Sequence, residues 1–177
     1  KTKAIICVHY GGLPCDLDEL NKIAKKYNIP IIEDAAQALG AKYNNKSIGG
    51  IGDFTTFSFQ AIKHITTGDG GMLTIKNKKL HAMAKRIGWF GINREGKQKG
   101  TWENDIFEVG YKYQMNDLGA TIGYESLKNF RKIISHRRKI FDIYLTELSK
   151  NKNIHCVNDF DKKKTHAAWL FTIALEK

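Results

Sequence analysis

The sequence predicts an α/β fold built on a mostly parallel sheet, and the N-terminal part of the chain carries the signal. Two short apolar runs, AIICV (residues 4–8) and IPIIED (residues 29–34), are typical of strands buried on both faces. Between them, DLDELNKIAKKYN has Leu17, Leu20 and Ile23 at helical spacing, with acidic residues in the first turn and lysines in the last. A strand, a helix and a strand in this order predict a parallel pair joined by a right-handed crossover.

The rest of the chain continues this mixture of strands and helices. FTTFSF and GMLTI are rich in β-forming residues, and three later segments have the amphipathic spacing of helices. The predicted strands are residues 54–59 and 71–75, and the predicted helices are residues 78–90, 115–130 and 131–150. Residues 44–53 and 91–105 are predicted loops, and residues 151–164 are a polar connector and a candidate boundary. A last predicted strand, WLFTIAL (residues 169–175), begins a second small domain.

Composition and charge narrow the classes of function. The chain of 177 residues has 29 lysines and arginines against 18 acidic residues, and its net charge of +11 favours nucleic acid, a membrane surface or phosphorylated small molecules as partners. The lysines are scattered, so we interpret them as solvated faces and expect neither a nucleic acid nor a membrane as partner. No apolar run approaches the roughly 20 residues that a membrane-spanning helix needs.

The cysteines and the N-terminal residues indicate the cellular compartment, and the two ends of the chain indicate a fragment. Cys7, Cys15 and Cys156 have neither metal-binding nor redox-type spacing, so we predict no metal site. An odd number of cysteines without a disulfide framework indicates a reducing compartment, and KTKAIICVHY lacks the features of a signal peptide. We therefore predict a cytoplasmic protein. Because the chain opens almost directly into one strand and closes inside another, we expect it to be a piece of a longer chain.

Asp34 and Lys63 are the candidate reactive residues. Lys63 follows an apolar, aromatic strand and precedes the turn GDGG, a setting that restricts water around its amine. A lysine is a nucleophile only when it is neutral, and a lone lysine at a strand end more often keeps its ammonium in solvent. Asp34 ends a buried strand, and the small Ala35 and Ala36 behind it leave room for a flat ligand. The alternative role of its carboxylate is to cap a turn.

Taken together, the polar residues of this region fit one chemistry better than each does alone. Gln37 offers a donor and acceptors three residues after Asp34, and Ser58 lies five residues before Lys63. Pyridoxal phosphate needs a lysine for its Schiff base and a carboxylate on its pyridine nitrogen, while hydroxyls hold its phosphate. The glycines of GDGG match no phosphate-binding pattern and are interpreted as a turn.

The motifs EDAAQA and SFQAIKHITTGDGG, in this order, resemble the core of the DegT/StrS-like nucleotide-sugar aminotransferases, which are fold-type I pyridoxal-phosphate enzymes. KAIICVHYGGLPCDLDEL and GYKYQMNDLGATIGYESLKNF extend the resemblance over residues 3–130. It implies a three-layer large domain with flanking helices, of which residues 1–130 are the central part. Residues 131–177 would then be the long helix and first strand of an incomplete small α+β domain. Family members continue beyond both ends of this chain.

The resemblance also implies a role for each candidate residue. Asp34 would pair with the pyridine nitrogen, Gln37 would contact the ring hydroxyl and Ala36 would pack on the ring face. Ser58 would bind the cofactor phosphate, and Lys63 would hold the cofactor as an internal aldimine and move the proton. A dehydratase branch of the family has histidine in place of this lysine, so Lys63 favours transamination.

Lys112 stands where many family members have an asparagine that reaches the cofactor phosphate of the neighbouring subunit. A lysine can bind phosphate as a point charge, so Lys112 is a candidate ligand, and a solvated lysine is the alternative. The resemblance implies a homodimer with shared active sites that passes an amino group from glutamate, through pyridoxamine phosphate, to a nucleotide-linked keto-sugar. The alternatives are a non-catalytic regulatory or binding relative of the same fold and a nucleic-acid-binding protein.

Overall fold

A four-stranded sheet forms the centre of the structure, a computed structural model that describes residues 1–94, 96, 100, 106, 108–157 and 161–175. Its strands in chain order are β1 (Ile5–Val8), β2 (Ile31–Asp34), β5 (Phe54–Ser58) and β6 (Gly71–Ile75), and they lie side by side in this order. β1, β2 and β5 are parallel, whereas β6 runs antiparallel to β5. The predicted α/β fold with a mixed, mostly parallel sheet is therefore confirmed.

A short 3-10 helix (Tyr10–Gly12) follows β1, and within the described residues four longer α-helices accompany the sheet, each in a segment predicted to be helical. They are α1 (Leu17–Tyr27), α2 (Lys78–Ile87), α3 (Asp117–Lys128) and α4 (Phe130–Leu148). Helix α1 connects β1 to β2, which confirms the predicted parallel pair with a helix between its strands, and its Leu17 and Ala24 are buried in the core with Ile31 of β2. Among the helices of the described residues, none combines the length and the apolar character that crossing a membrane requires.

A three-stranded sheet lies partly where a loop was predicted. β3 (Lys42–Tyr43) and β4 (Lys46–Ser47) form a hairpin inside a region that was predicted to be a loop from residue 44 onwards. Its two turn residues, Asn44 and Asn45, have positive φ angles of 48° and 61°, which asparagine tolerates and a two-residue hairpin requires. β8 (Lys164–Thr165) pairs with the other edge of β3, at the end of the predicted polar connector.

The last predicted strand is shorter than expected, and the connector before it contains a strand. β7 (Ile154–Cys156) pairs with β9 (Ile173–Leu175) in an antiparallel ribbon, so residues 169–172 are not part of a strand. The reason is a competing set of hydrogen bonds: the backbone N–H groups of Trp169 and Leu170 both donate to the carbonyl of Gly11. Parts of the predicted loop 91–105 and of the connector lie outside the described residues.

Candidate active site

Three parallel strands end at one edge of the central sheet, and two of the predicted site residues lie there. The carboxyl ends of β1, β2 and β5 share this edge because the three strands run in the same direction. Asp34 is the last residue of β2, and Ser58 is the last residue of β5. Open parallel sheets bind their ligands at the carboxyl ends of the strands, so both side chains stand where ligand chemistry is expected.

The Asp34 carboxylate is half-buried, and only one of its two oxygens accepts a hydrogen bond from the described residues. Its Oδ1 accepts a hydrogen bond of 3.0 Å from the backbone N–H of Ala36, which is the turn cap that the sequence left open as an alternative. Within the described part of the chain, Oδ2 has no hydrogen-bond partner. Ala35 behind it is fully buried and Ala36 is partly buried. The carboxylate therefore caps its own turn and keeps one oxygen for another group.

Gln37 is tied to the loop that follows β1. Its Oε1 accepts a hydrogen bond of 2.6 Å from the backbone N–H of Gly11, which has a φ of 64°. The neighbouring Gly12 has a φ of 96°, and a Cβ there would lie 2.9 Å from the carbonyl oxygen of Gln37. Glycine is thus required for this close approach. The amide oxygen of Gln37 is committed to the fold, and its amide nitrogen remains as the group that can reach a ligand.

Ser58 and Lys63 are joined through the turn that links β5 to β6. The hydroxyl of Ser58 accepts from the backbone N–H of Gln60 at 3.3 Å, and the carbonyl of Gln60 accepts from the backbone N–H of Lys63 at 2.9 Å. A hydrogen bond of 2.9 Å from the backbone N–H of Thr67 to the carbonyl of Phe59 closes the turn. Lys63 is therefore held in a closed turn directly after the strand that ends at Ser58.

The amine of Lys63 lies over the indole ring of Trp169. Its Nζ is 4.7 Å from the ring centroid, and the guanidinium of Arg137 is 5.2 Å from the same centroid. Both distances are typical of cation–π contacts. Sequence reasoning missed both residues, because WLFTIAL was interpreted as a strand and Arg137 as part of an amphipathic helix. Nothing in the local pattern indicates that residues so distant along the chain meet Lys63.

His64 anchors the segment that carries Trp169. Its Nε2 lies 2.8 Å from the carbonyl oxygen of Ala167, and its ring centroid lies 5.3 Å from that of Trp169. Burial lowers the pKa of His64 to about 4, and the nearby charges of Arg137, Arg138 and Lys63 act in the same direction, against the hydrogen bond to Ala167. At neutral pH the ring is uncharged and its Nε2–H donates to the Ala167 carbonyl.

Lys112 is not brought together with the other predicted residues. It pairs through its backbone with Trp89 in an isolated bridge, and its side chain is exposed. In the described residues no contact joins it to Asp34, Ser58 or Lys63. This placement is compatible with the role implied by the resemblance, which lies in the neighbouring subunit, and that role stays a prediction.

The predicted site residues other than Lys112 have the chemistry to bind a pyridine aldehyde that carries a phosphate. Asp34 supplies a carboxylate with a free oxygen, Ala36 a small surface, and Ser58 a hydroxyl at the same sheet edge. Lys63 supplies a half-buried amine in the next turn. These are the donor types that pyridoxal phosphate requires of a protein.

Known proteins resemble this chain over nearly its whole length. It is 37% identical to the GDP-perosamine synthase of Escherichia coli O157:H7, over 98% of this chain and 45% of that protein. It is 36% identical to the UDP-4-amino-4,6-dideoxy-N-acetyl-beta-L-altrosamine transaminase of Campylobacter jejuni subsp. jejuni serotype O:23/36, over 92% of this chain and 42% of that protein. The chain thus spans less than half the length of these relatives.

The fold is equally similar to that of solved aminotransferases. The structure of Helicobacter pylori PseC, an aminotransferase involved in the biosynthesis of pseudoaminic acid, matches with a TM-score of 0.90 and 27% identity, over 99% of this chain and 46% of that one. The family model of the DegT/DnrJ/EryC1/StrS aminotransferases matches residues 1–177, the whole of the sequence. The resemblance seen in the motifs around Asp34 and Lys63 is confirmed: the chain belongs to the DegT/DnrJ/EryC1/StrS aminotransferase family.

Proposed function

We propose that the full-length protein is an aminotransferase that uses pyridoxal 5′-phosphate to convert a nucleotide-linked keto-sugar to an amino sugar. The observation that carries the proposal is the position of Lys63, in the turn after β5 and beside the sheet edge at which Asp34 and Ser58 end their strands. Two relatives, named as a perosamine synthase and as an amino-sugar transaminase, support the class of substrate.

Lys63 is the residue that would hold the cofactor covalently and move a proton at the substrate Cα. Bound pyridoxal phosphate supplies an electron-withdrawing ring that makes this proton acidic. The indole of Trp169, 4.7 Å from Nζ, restricts the directions in which the amine can point and covers it on one side. A fixed and partly shielded amine is what a nucleophilic lysine needs.

The other candidate residues bind and orient. Asp34 would use its free Oδ2 for the pyridine nitrogen, and Ala36 would pack on the ring face. Gln37 would reach the ring hydroxyl with its amide nitrogen, since its Oε1 is bound to the backbone. Ser58 would hold the phosphate with its hydroxyl, and Lys112 would reach the phosphate in the neighbouring subunit of a homodimer.

The charges around Lys63 support anionic reactants. Lys63, Arg137 and Arg138 all contribute positive potential at His64, so a negatively charged group is favoured here. Glutamate as the amino donor and a nucleotide-linked sugar are both anions. We further propose that residues 1–130 belong to the large domain and residues 131–177 begin the small one. The antiparallel ribbon of β7 and β9, separate from the central sheet, supports this division.

The test uses the full-length protein purified with pyridoxal phosphate. We expect visible absorbance of bound cofactor, release of 2-oxoglutarate from glutamate, and amination of a nucleotide-linked keto-sugar. Lys63→Ala should abolish covalent cofactor binding and amino transfer. Lys78→Ala, which removes an exposed lysine at the start of α2, serves as the matched control and should leave both unchanged.

The outcomes separate the proposal from its alternative. Amino transfer that survives Lys63→Ala would contradict the role of this lysine. Cofactor binding without any release of 2-oxoglutarate would instead favour a non-catalytic binding relative of the same fold.

A further inference from the structure

The guanidinium of Arg137 is a second cation on the ring that Lys63 contacts. It lies 5.2 Å from the centroid of the Trp169 indole, and the Nζ of Lys63 lies 4.7 Å from the same centroid. Arg137 belongs to α4, far along the chain from Lys63, so the fold alone brings the two cations to one ring. A group bound by Arg137 therefore lies close to the amine on which the proposed chemistry depends.

The protein leaves the charge of Arg137 uncompensated. Arg137 is partly buried, and among the described residues no carboxylate forms an ion pair with it or with Lys63. The neighbouring Arg138 differs, because its guanidinium donates at 3.0 Å to the backbone carbonyls of His166 and Gly40. A partly buried guanidinium that has lost hydration without gaining an acceptor favours an anion beside it.

The surroundings of Arg137 are fixed by packing and by hydrogen bonds. The buried Ile134 and the two bonds of Arg138 anchor α4 one turn before and one residue after it. The indole of Trp169 packs against His64, with ring centroids 5.3 Å apart. A guanidinium in a fixed place presents its planar set of donors in one direction, which suits an acceptor with two oxygens in a plane.

Two anions take part in the proposed reaction, and their chemistry distinguishes them. The amino donor is an amino acid, whose α-carboxylate is bonded to the same carbon as the reacting amine. The diphosphate of a nucleotide-linked sugar is separated from the reacting carbonyl carbon by part of the sugar ring. An anion site beside Lys63 therefore matches the donor better, and a carboxylate can accept two parallel hydrogen bonds from one guanidinium.

We propose that Arg137 binds a carboxylate of the amino donor and so positions the donor amine at Lys63. The assignment rests on the proposed function, amino transfer at Lys63, and adds the residue that recognises the donor. Trp169 then contacts both the cation that reacts and the cation that binds. The response to the donor should depend on Arg137, whereas the binding of the nucleotide part of the other substrate should not.

The first experiment adds glutamate to the full-length protein loaded with pyridoxal phosphate and follows the change in cofactor absorbance. Arg137→Gln removes the charge and the paired donors, so the glutamate concentration that gives half the maximal rate should rise about thirtyfold. Arg137→Lys keeps the charge without the planar fork and should recover part of this loss.

Arg131→Gln is the matched control for these variants. Arg131 is an exposed arginine of the same helix, and its replacement changes the net charge by the same amount. The control should respond to glutamate as the unchanged protein does. The absorbance of bound cofactor before glutamate is added shows that each variant has folded and has taken up pyridoxal phosphate.

The second experiment measures binding without reaction, by calorimetry on the same proteins. Glutarate has two carboxylates but no amine, and Arg137→Gln should bind it about thirtyfold more weakly than the unchanged protein. GDP and UDP are the diphosphate probes, and their affinities should be the same in both proteins.

The outcomes separate this assignment from the proposed function. An equal response of Arg137→Gln and the unchanged protein to glutamate, or a loss of affinity confined to GDP and UDP, would overturn the assignment and leave the proposed function standing. If the unchanged protein takes up no pyridoxal phosphate or does not react with glutamate, the proposed function fails, and the role of Arg137 fails with it.

Discussion

Two consecutive carboxylates at the end of β2 have different functions because side chains alternate along a strand. Glu33 points inward, is fully buried and accepts from His9, Gly52 and Thr55. Asp34 points to the other face and keeps one oxygen free of protein contacts among the described residues. The inward carboxylate ties three segments of chain together, and the outward one is available to a ligand.

Replacing Glu33 by glutamine should destabilise the protein strongly. The amide keeps the shape of the side chain but turns one acceptor toward buried N–H and O–H groups into a donor, which leaves hydrogen bonds unmade. We expect the free energy of unfolding to fall by about 3 kcal/mol in urea titrations of the full-length protein. Glu19→Gln is the control, because Glu19 forms an exposed pair with Lys22, and a change beyond about 0.5 kcal/mol is not expected there.

Removing the indole of Trp169 should loosen Lys63. The ring of Trp169, 4.7 Å from Nζ, restricts the rotamers of the lysine, and losing this restriction costs about 1 kcal/mol, so Trp169→Ala should weaken binding of pyridoxal phosphate about fivefold. Trp169→Phe keeps a ring and should retain most of the affinity, as measured by titration of cofactor absorbance. Equal binding by both variants and the unchanged protein would show that the indole does not position the lysine.

Some residues of the candidate site could be predicted from the sequence and others could not. Asp34, Gln37, Ser58 and Lys63 could be proposed from the sequence because they cluster within about thirty residues at strand ends. Trp169 could not, because it reaches Lys63 only through a fold in which distant segments meet. Long-range contacts of this kind leave no local pattern.

At the scale of elements, the start of a helix depends on how its first N–H groups are satisfied. The side chain of Asn77 accepts from the N–H groups of Lys79 and Leu80 at the start of α2. Asn129 also precedes a helix, α4, but makes no such cap. The two asparagines therefore form a natural comparison of the same residue type with and without a capping bond.

Asn77→Ala should cost about 1 kcal/mol of stability, because two N–H groups of α2 lose their acceptor. Asn129→Ala should change stability by less, since it removes only the long hydrogen bond of 3.4 Å from Nδ2 to the carbonyl of Glu125, and alanine favours the helical backbone angles of this position. Paired urea titrations of the two variants check the difference. A larger loss in Asn129→Ala than in Asn77→Ala would contradict the capping argument.

The elements differ in how well the sequence predicted them. Helices α1 to α4 and the four strands of the central sheet could be recognised in the sequence, because each contains a clear apolar run or periodic pattern. Strands β3, β4 and β8 have two residues each, which are too few for alternation to be visible. The turn residues Asn44 and Asn45 were the available signal for the hairpin. β8 joins this hairpin from far along the chain, which no local signal could indicate.

At the scale of the whole molecule, the segment after β8 is held against the loop after β1 by polar anchors. The N–H of Ala167 donates to the carbonyl of Gly12 at 2.8 Å, and His64 binds the carbonyl of Ala167 at 2.8 Å. The guanidinium of Arg138 donates to the carbonyls of His166 and Gly40. Because these anchors position Trp169 beside Lys63, the integrity of the candidate site depends on groups from both ends of the chain.

This arrangement predicts that the protein loses stability when the pH falls from 6.5 to 4. The folded pKa of His64, about 4, lies below the unfolded value of 6.5, so the unfolded state binds more protons throughout this interval. The stability due to neutral His64 is therefore present above pH 6.5 and is lost as the pH approaches 4. The shift corresponds to roughly 3 kcal/mol. Burial lowers the pKa of His166 to about 4 as well, so it contributes with the same sign.

A variant separates the contribution of His64 from all other groups that titrate. His64→Gln keeps a donor for the Ala167 carbonyl but has no titratable ring. Urea titrations between pH 7 and pH 4 should show a steeper loss of unfolding free energy in the unchanged protein than in the variant, by roughly 3 kcal/mol at pH 4. Identical pH dependence in the two proteins would mean that His64 is protonated in the folded state without cost, and that it does not hold the Trp169 segment as a neutral donor.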